Sequence, residues 1–176
     1  MTIRQKYTAL LVIAALVIVL DQASKYLILE HLKLHEAFSL IPGFLDISHV
    51  ENPGVAFGLF SQNKSNIQQL VLMCASLVAV CVLFYFYNQT SSRYRTMLTG
   101  FALILGGAVG NFIDRVRFGQ VVDFIDIYVG DLHWPMFNIA DSAISIGIVI
   151  FIYHLIFKKP DVFHRLDEPS EKRMKS

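Results

Sequence analysis

Residues 9–20 read Ala9-Leu-Leu-Val-Ile-Ala-Ala-Leu-Val-Ile-Val-Leu20, an unbroken apolar block, after which Asp21, Gln22, Ser24 and Lys25 intervene before apolar character resumes at Tyr26-Leu-Ile-Leu29. A helix that crosses a bilayer needs about 20 predominantly apolar residues. A secretory signal would have a shorter apolar region followed by a small-residue cleavage site, so the run from about 8 to 29 reads as a retained span.

Outward from this block the same pattern recurs three times. Residues 67–87 hold Gln68, Gln69 and Ser76 as their only clearly polar members. Residues 96–113 carry Gly106, Gly107 and Gly110, and the spacing of Gly106 and Gly110 makes a small-residue face that another helix backbone can approach closely. Residues 137–157 begin with Asn138 and Asp141 and hold His154 near their end. Composition agrees: 55% hydrophobic and 16% charged residues with a mean hydropathy of +0.52 are too apolar for an ordinary soluble domain. A formal net charge of +1 supplies no polybasic field, which argues against nucleic acid as a partner.

Four spans place both termini on one side. The segments 1–8, 88–96 and 158–176 hold ten Lys and Arg residues against four in 30–66 and 114–136, so the positive-inside rule makes the termini cytoplasmic. The two outer segments are strand-like: 44–50 lies between the Pro42-Gly43 and Asn52-Pro53-Gly54 turns, and the β-branched and aromatic stretch 121–129 is closed by Gly130-Asp131. Trp134 is placed as an interfacial aromatic anchor. The expected fold is an all-α membrane protein with four transmembrane helices and small extracytoplasmic β-rich segments. It forms one domain over 1–157, followed by a charged cytoplasmic tail over 158–176.

Ionisable groups in a span are costly and face a bundle interior or a wet cavity. Asp21, Lys25, Asp114, Arg115, Asp123, Asp126 and Asp141 all fall toward the outer half by this topology. Asp21 and Lys25 stand at i and i+4, the spacing of an intrahelical ion pair. A Ser24–Lys25 nucleophile dyad is disfavoured, because adjacent helical residues point about 100° apart. His31, His35 and Glu36 lack metalloprotease spacing, since Leu32 stands where the glutamate belongs; they read as exposed loop residues, and no metal or other cofactor is expected. Cys74 and Cys81 read as buried thiols, too far apart along a helix for a disulfide. Asp114 and Arg115 end the third span, where the planar fork of Arg115 is suited to bracing carboxylates or a lipid headgroup. Asp123 and Asp141 are carboxylates in apolar surroundings, and two such groups brought together share a proton and split into an acid and a base. Asp126 competes with Asp123, but residues three apart on a strand face opposite sides, so only one of them can look toward Asp141.

Five blocks in order, Asp21-Gln22 with Lys25, Asn52-Pro53-Gly54-Val-Ala-Phe57, Gly106-Gly107 through Asn111 to Asp114-Arg115, Val121-Val-Asp123-Phe124 and Phe137-Asn138-Ile-Ala-Asp141, resemble the lipoprotein signal peptidase (signal peptidase II) family of bacteria. The resemblance implies a membrane-embedded aspartic endopeptidase of the bacterial cytoplasmic (inner) membrane. Such an enzyme removes the signal peptide from diacylglyceryl-modified prolipoproteins just before the lipidated cysteine, among membrane lipids, and is a target of globomycin-type inhibitors. It implies Asp123 and Asp141 as the catalytic pair. Asp21, Lys25, Asn52, Gly54, Asn111, Asp114, Arg115 and Asn138 are implied as the residues that bind substrate or support the site. A small proton-coupled transporter is the main rival, but its usual inverted repeat is absent. A structural subunit explains the glycines and not the carboxylates.

Overall fold

The computed structural model describes residues 1–54 and 66–157. The Val55–Phe57 part of the second motif and the charged tail 158–176 lie outside the described residues.

Four helices, each long and apolar enough to cross a membrane, form the bundle: α1 (Ile3–His31), α2 (Asn66–Gln89), α3 (Arg95–Phe118) and α4 (Ile139–Phe157). Helix α1 starts earlier than its hydropathy suggests because Thr2 and Gln5 form a reciprocal capping box, which satisfies N–H groups that a first turn leaves open. Helix α3 runs five residues past the expected end at 113 and is stopped by Gly119, whose φ of +74° makes a left-handed cap. Asp114 and Arg115 therefore belong to the helix itself and do not follow it.

Helix α3 is the centre of the bundle and packs on α1, α2 and α4. The glycines explain how: Gly106 and Gly110 face α1 together, as their spacing predicts, while Gly107 faces α4. A Cβ on Gly106 would meet Ala14 and Val17 of α1, and one on Gly107 would collide with the Ala140 carbonyl of α4. Lower on the same bundle, Gly100 and Gly147 let α3 and α4 cross backbone to backbone. Two neighbouring helices thus approach on two sides of α3. Cys74 and Cys81 are exposed on α2, contrary to the expectation of burial: α2 packs chiefly on α3 and meets α1 only at its last turn, through Tyr87 and Asn88, so most of its surface faces lipid.

The segments between α1 and α2 and between α3 and α4 form one antiparallel sheet in the order β1 (Ala37–Ile41), β2 (Leu45–Asn52), β3 (Val121–Val129) and β4 (Leu132–His133). Strands β2 and β3 match the two expected stretches closely, whereas β1 and β4 had no separate signal in the sequence. His31 ends α1 as a helical residue, and His35 turns the chain at φ +66°. Ile28 of α1 packs with Val122 and Phe124 of β3, which seats the sheet on one end of the bundle.

Candidate active site

Where α1, α3 and α4 meet the sheet, two polar clusters lie side by side. Lys25 is the hub of the first. Its Nζ lies 2.9 Å from Asp21 Oδ2 and 2.7 Å from Asp114 Oδ2, and it donates to Asn111 Oδ1 at 3.0 Å. These three partners use all three ammonium protons. The expected Asp21–Lys25 pair is present, and Asp114 joins it from α3. Asp21 Oδ1 also accepts from the Ala140 N–H at 2.9 Å, Asp114 Oδ2 accepts from the Val122 N–H, and Gln22 Nε2 donates to Asp114 Oδ1 at 2.9 Å. One cluster therefore ties α1 to α3, to the start of β3 and to the start of α4. Gly110 makes room for it, since a Cβ there would stand 2.7 Å from Asp21 Oδ2.

The second cluster holds Asp123 and Asp141. Asp141 lies in the first turn of α4 and exchanges capping bonds with Asn138: the Asp141 N–H donates to Asn138 Oδ1 at 2.9 Å, and the Asn138 N–H donates to Asp141 Oδ2 at 3.3 Å. With its oxygen used by the helix, the Asn138 amide nitrogen faces β3 and donates to Asp123 Oδ1 at 2.7 Å. Asn111 donates to Asp141 Oδ1 at 2.7 Å while its own oxygen accepts from Lys25 and Asn138. The two carboxylates are thus held by two asparagines, and no cation lies within 4 Å of either among the described residues.

Asn52 completes the cradle through a change of register. From Leu45 to Ile47, β2 pairs with β3 in one register, and from Val50 onward it is shifted by one residue. This is a β-bulge at Ser48 and His49. Without it Asp123 would sit opposite His49, and Asn52, three residues on, would point to the other face of the sheet. With it Val50 faces Asp123, and Asn52 becomes the diagonal neighbour on the same face. Asn52 Nδ2 then donates to Asp123 Oδ2 at 2.8 Å. The Gly54 N–H donates to Asn52 Oδ1 at 2.8 Å and fixes which end of the amide meets the carboxylate. Gly54 has a φ of +85°, which glycine adopts at little cost.

Asp123 is 2% exposed. Burial pushes its carboxyl up to about 6 and the Asp141 charge adds to that, against the hydrogen bonds from Asn52 and Asn138, which favour the ionised form. Arg115 bonds to the Asn111 carbonyl one turn earlier at 3.2 Å and makes no ion pair within 4 Å among the described residues. It contributes positive field near the carboxylates without the fork contact its chemistry suggests. Asp126 faces the other side of the sheet, as strand alternation requires. There it pairs with His133 at 2.9 Å, and His133 stacks on Tyr128 with the ring centroids 4.8 Å apart. Gln22 had no role assigned from the sequence, although its place directly after Asp21 was the available signal.

With a buried and a half-buried carboxylate held by amides at one end of four spans, the family comparison is decisive: the model described as Signal peptidase (SPase) II matches residues 13–157. The chain belongs to the signal peptidase II family. It is similar to the lipoprotein signal peptidase of Desulforapulum autotrophicum, 46% identical over 87% of this chain and 95% of that protein. The lipoprotein signal peptidase of Syntrophotalea carbinolica is 44% identical over 81% of this chain and 88% of its own length. A solved structure described as a bacterial membrane enzyme superposes with a TM-score of 0.75 at 34% identity, covering 86% of this chain and 92% of that one. The signal peptidase II chain is a membrane-embedded peptidase.

Proposed function

We propose that Asp123 and Asp141 are the catalytic pair with which this signal peptidase II cleaves diacylglyceryl-modified prolipoproteins before the lipidated cysteine. The observation that carries this reading is the contrast in counterions: Lys25 pairs with Asp21 and Asp114, while buried Asp123 and half-buried Asp141 meet only amide donors. In this arrangement one carboxyl is protonated and the other ionised. The ionised member takes a proton from the attacking water, and the protonated member polarises the scissile carbonyl and then protonates the leaving amine. Asn52, Asn111 and Asn138 hold the carboxylates, while Asp21, Lys25 and Asp114 fix the helices beneath them. Gly54 and Arg115 line the substrate side.

The same reading places the termini in the cytoplasm of the bacterial inner membrane and the carboxylates at the opposite face, where the lipidated cysteine lies at the bilayer edge. Residues 1–157 act as one domain, and globomycin-type inhibitors compete for the site. The test is cleavage of lipidated and unlipidated precursor by the purified chain. Lipidated precursor should be preferred strongly, and equal rates would refute a lipid-dependent site. A single cysteine at Ser92, with Cys74 and Cys81 replaced, should resist labelling by an impermeant maleimide from outside the cytoplasmic membrane.

A further inference from the structure

The end of the bundle remote from the carboxylates holds a cavity of about 190 Å³ between α1 and α3, walled by Ala9, Leu10, Ile13, Tyr87, Leu98 and Arg95. Arg95 opens α3 and lies about 24 Å along that helix from Asn111. Ile13 lies ten residues into α1, so the slot leads from the helix ends into the hydrocarbon. Its walls are mostly apolar, and Leu10 and Leu98 are buried. Among the described residues, the two segments that line it carry charge of one sign: residues 1–13 and 86–99 contain Arg4, Lys6, Arg93 and Arg95 and no Asp or Glu. Lys6 is held rigidly behind the Tyr87 wall. Its Nζ donates to the Asn88 and Thr90 carbonyls at 3.0 and 2.8 Å and lies 5.0 Å from the Tyr87 ring centroid. Tyr87 in turn donates to the Lys6 carbonyl at 2.6 Å. Arg95 is exposed, and its guanidinium has no hydrogen-bond or ion-pair partner among the described residues.

An apolar slot under a cationic mouth fits an amphiphile with an anionic head. We propose that it holds the first part of one acyl chain of an anionic phospholipid, with the headgroup phosphate against Arg95 and the rest of the chain in the hydrocarbon. The planar guanidinium can meet a phosphate with two parallel hydrogen bonds, and the field of Lys6 and its arginine neighbours favours a lipid of net negative charge over a zwitterionic one. Ala9 and Ile13 face the chain. The proposal rests on membrane embedding and on this end of the bundle alone, so it stands or falls separately from the assignment of Asp123 and Asp141.

The test is native mass spectrometry of the purified full chain in detergent with equimolar phosphatidylglycerol and phosphatidylcholine. The wild type should retain one phosphatidylglycerol in preference to phosphatidylcholine by roughly fivefold or more, the worth of one or two cationic side chains at a membrane surface. Arg95→Gln should bring that preference below about twofold, since it removes the headgroup partner. Ala9→Phe fills the slot and should lower retention of both lipids. Precursor cleavage and unfolding temperature report whether each variant is folded. Equal retention of the two lipids by the wild type overturns the proposal, as does undiminished phosphatidylglycerol retention in a folded Ala9→Phe variant.

Discussion

Two sets of carboxylates, all buried but the half-buried Asp141, sit next to each other in this protein and differ in what faces them. Asp21 and Asp114, 0% and 1% exposed, share the ammonium of Lys25 and accept backbone N–H groups from two other elements. Asp123 and Asp141 receive only asparagine amides and backbone. A carboxylate with a cation and complete hydrogen bonding is electrostatically settled and ties parts of the fold together, although its desolvation makes the net gain small. A pair with neutral donors keeps a proton in play. Burial alone does not set the proposed catalytic acids apart from those that tie the helices together; the identity of the neighbour does.

The most severe break of this contrast is at the proposed catalytic pair. Asp123→Asn and Asp141→Asn keep size and remove proton exchange, so each should lower kcat/KM on lipidated precursor by about 10³-fold or more, with unfolding temperature unchanged or raised. The double variant should be little worse than either single one, because the two act as a unit. A Lys25→Met variant should fail in the opposite way: it leaves Asp21 and Asp114 buried against each other without a cation. Loss of one partner of a buried pair costs about 3–5 kcal/mol, so thermal unfolding in detergent should show a large loss of stability. If Lys25→Met folds normally and only its catalysis is impaired, the division into structural and reactive acids is wrong.

A smaller effect concerns pH. The Asp123 carboxyl is pushed up to about 6 by burial, so folding favours its protonated form. The stability it contributes is present below the ordinary carboxylate range and is lost as pH rises through about 6. Unfolding temperature followed across that window should fall for the wild type and flatten in Asp123→Asn. Asn52→Ala removes a donor that favours the ionised form, so the corresponding limb of the pH–rate profile should move upward. The smallest effect is expected at Asp126. Asp126→Asn weakens only the contact with His133 on the far side of the sheet and should leave cleavage within about threefold of the wild type, the scale of one partly exposed charged contact. An inactive Asp126→Asn beside an active Asp123→Asn would show that the register of β3 has been misassigned.

The four spans, the two central strands and the candidate carboxylates were legible along the chain because each depends on local pattern. A run of apolar residues states its solvent, alternation states which face of a strand a residue takes, and an i, i+4 spacing states a helical neighbour. That was enough to pair Asp21 with Lys25 and to set Asp123 apart from Asp126. It was not enough to show that Asp114, 89 positions from Lys25, completes the ion cluster, or that Gln22 bridges to it. Nor could it show that Arg115 forms no ion pair among the described residues. The register of Asn52 is the clearest case. Counted along β2 it carries no mark of facing Asp123, because a bulge of one residue reverses the face of everything after it, and that bulge exists only in the pairing of β2 with β3. Sequence pattern determined which residues enter the membrane and which acids lie at its edge. The tertiary structure decided which of those acids meet a cation and which meet an amide, because that choice rests on contacts between segments whose separation along the chain leaves no period to read.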